Sequence, residues 1–247
     1  MPPVWVTSKP TLSNYAIIFG LKGMVQSNVL VSGVTTSVFM PLFNSLVISL
    51  SATILSMVLG SMAAWAISRF RVGGNSFALG LLAPRMFPPI AIALPMLIMY
   101  SSLHLVNTRI GLIIAYTGFT IPFSVWMTKS FIDEVPVELE EAAMMDGQSR
   151  FETFYKTTLP VVKGGLAATF LFIFILNWSE FLLAQTLMRS VHTIPVYISL
   201  LYSAAGGKLY GVQAAIGAIS VLPMILIGYS IQEHLARGFT FGVIRQR

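Results

Sequence analysis

Apolar residues fill long unbroken blocks of this chain, and the polar ones gather between them. Five blocks, residues 42–68, 77–103, 110–130, 166–188 and 212–235, are each long enough to cross a bilayer core as a helix, which takes about 20 residues. The first of them lies within a run, 23–68, of 46 residues without Asp, Glu, Lys or Arg. A shorter apolar stretch, 193–205, is interrupted near its start by Pro195 and predicts a surface or re-entrant helix. Residues 13–39 are only mildly apolar and carry Lys22, Gln26 and Asn28, so they do not count as a span. The pattern predicts an all-α membrane protein with five spans.

Composition sharpens this. Of 247 residues, 55% are hydrophobic and only 10% charged, where a soluble domain has roughly 25% charged. An ordinary soluble enzyme is excluded. The absence of cysteine removes a disulfide framework, a thiolate metal site and a cysteine nucleophile. The net charge of +6 is read as membrane orientation, not as a nucleic-acid partner. One set of loops holds nine Lys and Arg, among them Arg69, Lys129, Lys163 and Arg237, and the opposite set five. The richer set is expected inside. Residues 1–41 are then an external segment, 42–235 the transmembrane domain and 236–247 a cytoplasmic tail. An external segment needs something to carry it across, so the natural chain is expected to have an earlier helix.

Seven of the nine acidic residues lie between Asp133 and Glu152, within the inside loop 133–160. Pro136 suits the first turn of a helix, and carboxylates early in it favour the positive end of its dipole. Leu139, Ala142 and Ala143 give that helix a small, partly apolar face, and Gly147 can end it in a left-handed conformation. A second helical stretch, 151–158, stops at Leu159-Pro160. Composition alone reads as a solvated acidic loop.

The order of residues adds more. Glu141-Ala142-Ala143, three residues, Gly147, nine residues, then Thr157-Thr158-Leu159-Pro160 resembles the EAA loop of ABC importer permeases. Thr157 stands where that family usually has Ile or Val. Asn44-Ser45-Leu46, residues 66–71, Pro88-Pro89, Asn107-Thr108, Tyr116, Pro122-Phe123 and Trp178-Ser179-Glu180-Phe181 extend the likeness to the carbohydrate-uptake, MalG-like members. Ser179 replaces their common Asn. The resemblance implies a type I ABC importer transmembrane fold, usually of six spans, in a bacterial or archaeal plasma (inner) membrane. It implies as partners a second permease subunit, two ATPase subunits and an external solute-binding protein. It also implies that Glu141, Ala142, Ala143, Gly147, Leu159 and Pro160 couple to the ATPase, with small side chains for close approach and Glu141 for a basic partner residue. The tail from Arg237 to Arg247 either reaches toward the ATPase or is a disordered basic anchor.

No Gly-x-x-x-x-Gly-Lys-Ser/Thr segment is present, so ATP hydrolysis is expected in a partner; no catalytic residue, cofactor or metal is expected here. His104, His192 and His234 lack metal-ligand spacing and are expected at interfaces. Ionisable groups within spans usually face protein or water. Arg85 and Glu180, with Tyr116, Asn177 and Trp178, are therefore candidates for the solute path, where Trp178 or Tyr116 would stack on a sugar. The competing reading is helix-to-helix hydrogen bonding, including an Arg85–Glu180 contact. An ion-coupled secondary transporter using Arg85 and Glu180 is the rival function, and it leaves the spacing from Glu141 to Pro160 unexplained.

Overall fold

The described residues of the computed structural model are 12–20, 37–73, 77–201 and 210–243, without the side chains at 78, 79, 84, 85 and 233–243. Among them every regular element is helical. The expected external segment is described only at 12–20 and 37–41, and the expected tail only as backbone to residue 243.

Two long helices, α2 (Phe39–Phe70) and α5 (Arg109–Asp133), form the central pair; a short α1 (Ser13–Ile18) precedes them. They run parallel, because Asn44 meets Arg109 at one end and Ser68 meets Asp133 at the other. On α2 the buried positions Ser45, Ser49, Ala52, Ser56, Gly60, Ala64 and Ile67 recur every three or four residues and so make one face. That face is small and polar, while Phe43, Leu55, Val58, Leu59 and Met62 point outward. The arrangement inverts a soluble amphipathic helix. Lipid tails solvate large apolar side chains, so association rests on close backbone approach and hydrogen bonds. Ser56 Oγ lies 2.7 Å from Thr120 Oγ1, and the Thr120 and Thr117 hydroxyls donate back to the Tyr116 and Ile113 carbonyls.

Two expected spans are broken. The block 77–103 is not one helix but α3 (Phe77–Gly80), a 3-10 turn (Ala83–Met86) and α4 (Pro89–Ser102). Pro88 is extended at ψ 127°, as a residue before proline is forced to be, and the prolines here supply no backbone N–H. With 14 residues, α4 is about 21 Å long, less than a hydrocarbon core of about 30 Å. The block 166–188 is likewise split, into α9 (Lys163–Trp178) and α10 (Leu182–Leu187). Between them the Glu180 carboxylate accepts the N–H groups of Leu183, at 3.0 Å, and Ala184, at 3.2 Å, and so starts a new helix. Besides α2 and α5, the stretch Tyr210–Gln232 of α12 (Tyr210–Val243) is long and apolar enough to span. At the predicted short helix lies α11 (Ile194–Leu200), with Pro195 in its first turn.

Three apolar clusters hold these pieces. One, with Ile48, Tyr100, Leu112, Tyr116, Leu183 and Leu187, joins α2, α4, α5 and α10. Another joins α1, α11 and α12 through Ile18, Tyr197 and Ile216. The third, with Ala64, Ile67, Val125, Ile132, Val135 and Val162, closes the Phe70–Asp133 end of the central pair and underlies the loop 133–160.

Candidate functional site

The loop carries α6 (Val137–Met145), α7 (Arg150–Thr153), a π turn (Phe154–Thr158) and α8 (Leu159–Val161). Pro136 is extended and releases the chain into α6, whose first turn carries Glu138 and Glu140 beside the helix's positive end. At the other end Gly147 adopts φ 91°. Its N–H reaches the Met144 carbonyl and the Gln148 N–H the Ala143 carbonyl, both at 3.1 Å. These two bonds close the helix end and require the left-handed residue between them.

Ser149 then starts α7 with a reciprocal cap. Its hydroxyl accepts the Glu152 N–H at 3.3 Å, and Glu152 Oε2 accepts the Ser149 N–H at 3.0 Å. Lys156 Nζ donates to Glu152 Oε1 at 2.9 Å. The Ser149 backbone N–H first, then Lys156 and the Ser149 hydroxyl, hold the Glu152 carboxyl down at about 2; Glu152 in turn raises Lys156. The Arg150 guanidinium lies 5.3 Å from the centre of the Phe70 ring, which brings α7 against the end of α2. At the π turn the Leu159 N–H reaches back to the Phe154 carbonyl, one residue further than in an α-helix. Pro160 follows directly, and its ring and missing N–H disfavour regular helix there. Thr157 Oγ1 donates to Gln148 Oε1 at 3.2 Å and ties the two arms of the loop together.

One acid is treated differently from its neighbours. Glu140 is 4% exposed, whereas Glu138 and Glu141 are exposed. Its Oε1 accepts Arg69 Nε at 2.9 Å and Thr158 Oγ1 at 2.8 Å, and its Oε2 accepts Trp65 Nε1 at 3.2 Å. Arg69 Nη2 donates further to the carbonyls of Ile132, at 3.1 Å, and Val135, at 2.9 Å. A buried carboxylate is tolerable only when paired and hydrogen-bonded, and here both oxygens accept from a donor. Removing one partner of such a pair costs about 3–5 kcal/mol. Of the motif residues, Glu141, Ala142, Gly147 and Pro160 are exposed and Leu159 is half-buried. Ala143 is 8% exposed and turns into the chain on the same side as Glu140, so its small side chain serves internal packing.

Residues 56–241 match the family described as the binding-protein-dependent transport system inner membrane component. The chain belongs to that family. It is a permease subunit of an ABC importer, an inner-membrane component that is not itself catalytic. A probable ABC transporter permease protein, y4oR, of Sinorhizobium fredii is 32% identical over 99% of this chain and 83% of its own length. The trehalose/maltose transport system permease protein MalG of Thermococcus litoralis is 32% identical over 82% of this chain and 74% of its own. The fold is also that of a chain in a bacterial ABC transporter importing the acidic polysaccharide alginate, with a TM-score of 0.65 at 23% identity. That likeness covers 79% of this chain and 74% of the other. The type I importer fold expected from the motif is therefore the fold observed.

Within the permease, the intramembrane residues singled out by sequence are largely internal. Tyr116 is buried and its hydroxyl donates to the Glu180 carbonyl at 3.3 Å. Asn177 is buried and donates to Thr53 Oγ1 at 3.1 Å, which joins α9 to α2. Trp178 packs on Phe174, ring centres 5.6 Å apart. Glu180 caps α10, so its carboxylate is engaged with backbone. Arg85 falls in the 3-10 turn, and its side chain lies outside the described residues, as does any Arg85–Glu180 contact. A cavity of about 500 Å³ opens instead between α4 and α5, lined by Pro95, Met96, Met99, Tyr100, Phe119 and Pro122 among others. None of Tyr116, Asn177, Trp178 and Glu180 lines it.

Sequence reasoning missed Trp65, Arg69, Glu140 and Thr158 as a group. Trp65 and Arg69 stand one turn apart at the end of a span, which is a usable signal. Nothing local separated Glu140 from the acids beside it.

Proposed function

We propose that this permease forms part of the translocation path for a sugar or related solute and couples to a cytoplasmic ATPase through residues 133–160. The observation that carries the reading is the outer edge of α6. Glu141, Ala142, Met145 and Gly147 are exposed there, with Met145 at 88%, while Glu140 anchors the same helix from behind. Val137, Met144 and Phe151 extend the edge as exposed apolar surface, which suits a protein partner better than solvent. Ala142 and Gly147 allow close approach, and Glu141 offers a carboxylate to a basic residue. Leu159 and Pro160 lie in α8, just before the bend at Val162 that returns the loop to α9.

The assembly inferred is this chain, a second permease subunit, two ATPase subunits and an external solute-binding protein. The family description itself names a binding protein, and relatives named for trehalose, maltose and diacetylchitobiose support the sugar class. The nine-against-five Lys and Arg bias supports a cytoplasmic loop and C-terminus. Tyr116, Asn177, Trp178 and Glu180 then shape the path by fixing α5, α9 and α10 behind it, and Arg85 belongs to the turn leading into α4.

The test uses Glu141→Lys and Gly147→Asp in the assembled importer. Both are expected to abolish ATP-dependent uptake and weaken ATPase co-purification. Survival of both properties in both variants overturns the coupling assignment.

A further inference from the structure

We propose that Glu140 and Arg69 are positioning residues for coupling. They lock α6 to the ends of both α2 and α5, so that a push on α6 moves the two central helices as one body. This rests on the coupling-loop reading above and adds the route by which force leaves the loop.

The geometry is that of a joint. Through Nε the Arg69 guanidinium holds α6 at Glu140, and through Nη2 it holds the last turn of α5 at Ile132 and the linker at Val135. Arg69 itself sits in the last turn of α2, and Trp65 of the same helix holds the second carboxylate oxygen. Thr158 brings the π turn onto the same carboxylate. Four elements and the linker thus meet at one ion pair. A planar fork suits this role, since it fixes donors on separate nitrogens in one rigid plane, whereas a lysine's three donors rotate about a single nitrogen. The chemistry is poorly explained by stability alone. Buried ion pairs add little net stability against an apolar replacement, because both charges must leave water. What such a pair does supply is a fixed register among the groups it touches. The route from the loop to α9 is different in kind: the chain turns by 81° between Arg150–Val161 and Lys163–Trp178. The central pair is therefore driven directly, while α9 is reached across a bend.

The test needs no knowledge of the solute. The chain has no cysteine, so introduced thiols are unique within it. Spin labels go on Val72, just past α2 and 50% exposed, and on Tyr229 of α12, 71% exposed. Distances are measured in the full complex, co-expressed with its partner subunits, without nucleotide and with ATP plus vanadate. The unmodified pair should show a nucleotide-dependent shift. In Glu140→Gln the nucleotide-dependent shift should fall about fivefold or more in the complexes that still carry the ATPase. Thr158→Ser keeps the hydroxyl and should behave as the unmodified protein.

A double variant, Arg69→Met with Glu140→Leu, guards against simple misfolding, since apolar replacement of a buried pair is compatible with folding. It should assemble and lose the shift. A full shift in Glu140→Gln or in the double variant overturns the proposal. So does loss of the assembled complex in both, which would make the pair a folding element only. Failure of the underlying coupling-loop reading looks different: the unmodified complex shows no nucleotide-dependent shift, and Glu141→Lys leaves ATPase co-purification untouched.

Discussion

Gly60 on α2 and Ser124 on α5 stand so close that a methyl group on the glycine would overlap the serine side chain. The central pair of helices depends on this contact, because its interface is built from small residues rather than interlocking large ones. Gly60→Val is expected to force the helices apart and to cost about 1–3 kcal/mol. Gly60→Ala should be rescued in large part by Ser124→Gly, since the two side chains compete for one space. A double-mutant cycle on thermal unfolding in nanodiscs measures the coupling. Purely additive costs would refute the close approach.

Gly147 carries the sharp turn at the end of α6, and its φ of 91° is strained for any residue with a Cβ. Nothing lies within 4 Å of the position a Cβ would take, so the penalty is conformational and not steric crowding. Gly147→Ala should cost about 1–3 kcal/mol of local stability, and Gly147→Asn distinctly less, because Asn tolerates left-handed backbone. Amide exchange at Gly147 and Gln148 reads the helix-end bonds directly. Equal exchange in both variants would show that the turn is not limiting.

These two glycines differ in how far sequence could see them. Gly147 was legible, because motif spacing and helix-end chemistry both point to it. Nothing local marks Gly60, since its meaning depends on Ser124, 64 residues away. The spans that became α2, α5 and most of α12 were legible from continuous apolarity. The breaks before α4 and between α9 and α10 were not, because hydropathy reports lipid exposure and is blind to backbone continuity. Glu180 illustrates the point: an ionisable residue inside an apolar block reads equally as a path residue or as an internal hydrogen-bonding group, and only the folded chain shows its carboxylate accepting the N–H groups of Leu183 and Ala184. Likewise Glu140 and Glu141 are indistinguishable in a local window. Their opposite fates are set by Trp65 and Arg69, more than 70 residues earlier.

Asn107 is the corresponding anchor at the other end of the central pair. It adopts φ 60°, and its Oδ1 accepts the N–H groups of Arg189, Ser190 and Val191 at 3.0, 2.9 and 3.2 Å. Its Nδ2 donates to Ser190 Oγ at 2.8 Å. The side chain therefore holds the turn between α10 and α11 from the start of α5. Asn107→Leu loses the acceptor and strains the backbone, and should cost about 2–3 kcal/mol. Asn107→Asp keeps both the acceptor and the tolerance for this conformation and should cost much less. Limited proteolysis at 188–193 in nanodiscs checks the pair. Similar cleavage of the two variants would mean that other contacts hold the turn.

The exposed cap at Ser149 and Glu152 gives the loop a pH dependence with a defined sign. The Glu152 carboxyl titrates near 2 in the folded loop, against an ordinary value of 4.5. The folded form thus binds this proton less readily than the unfolded chain, so the cap's contribution is complete above about pH 4.5 and is lost as pH falls toward 2. Protection of the 149–157 amides, corrected for intrinsic exchange, should decline across that window. Glu152→Gln should remove the dependence, leaving protection flat from pH 6 downward, because its amide oxygen can still accept the Ser149 N–H but does not titrate. Lys156→Met should leave the window in place but move its lower edge upward, because the Ser149 N–H is the largest cause of the depression and Lys156 the next. If Glu152→Gln keeps the same decline, another group governs the acid response and the cap is not what stabilises the start of α7.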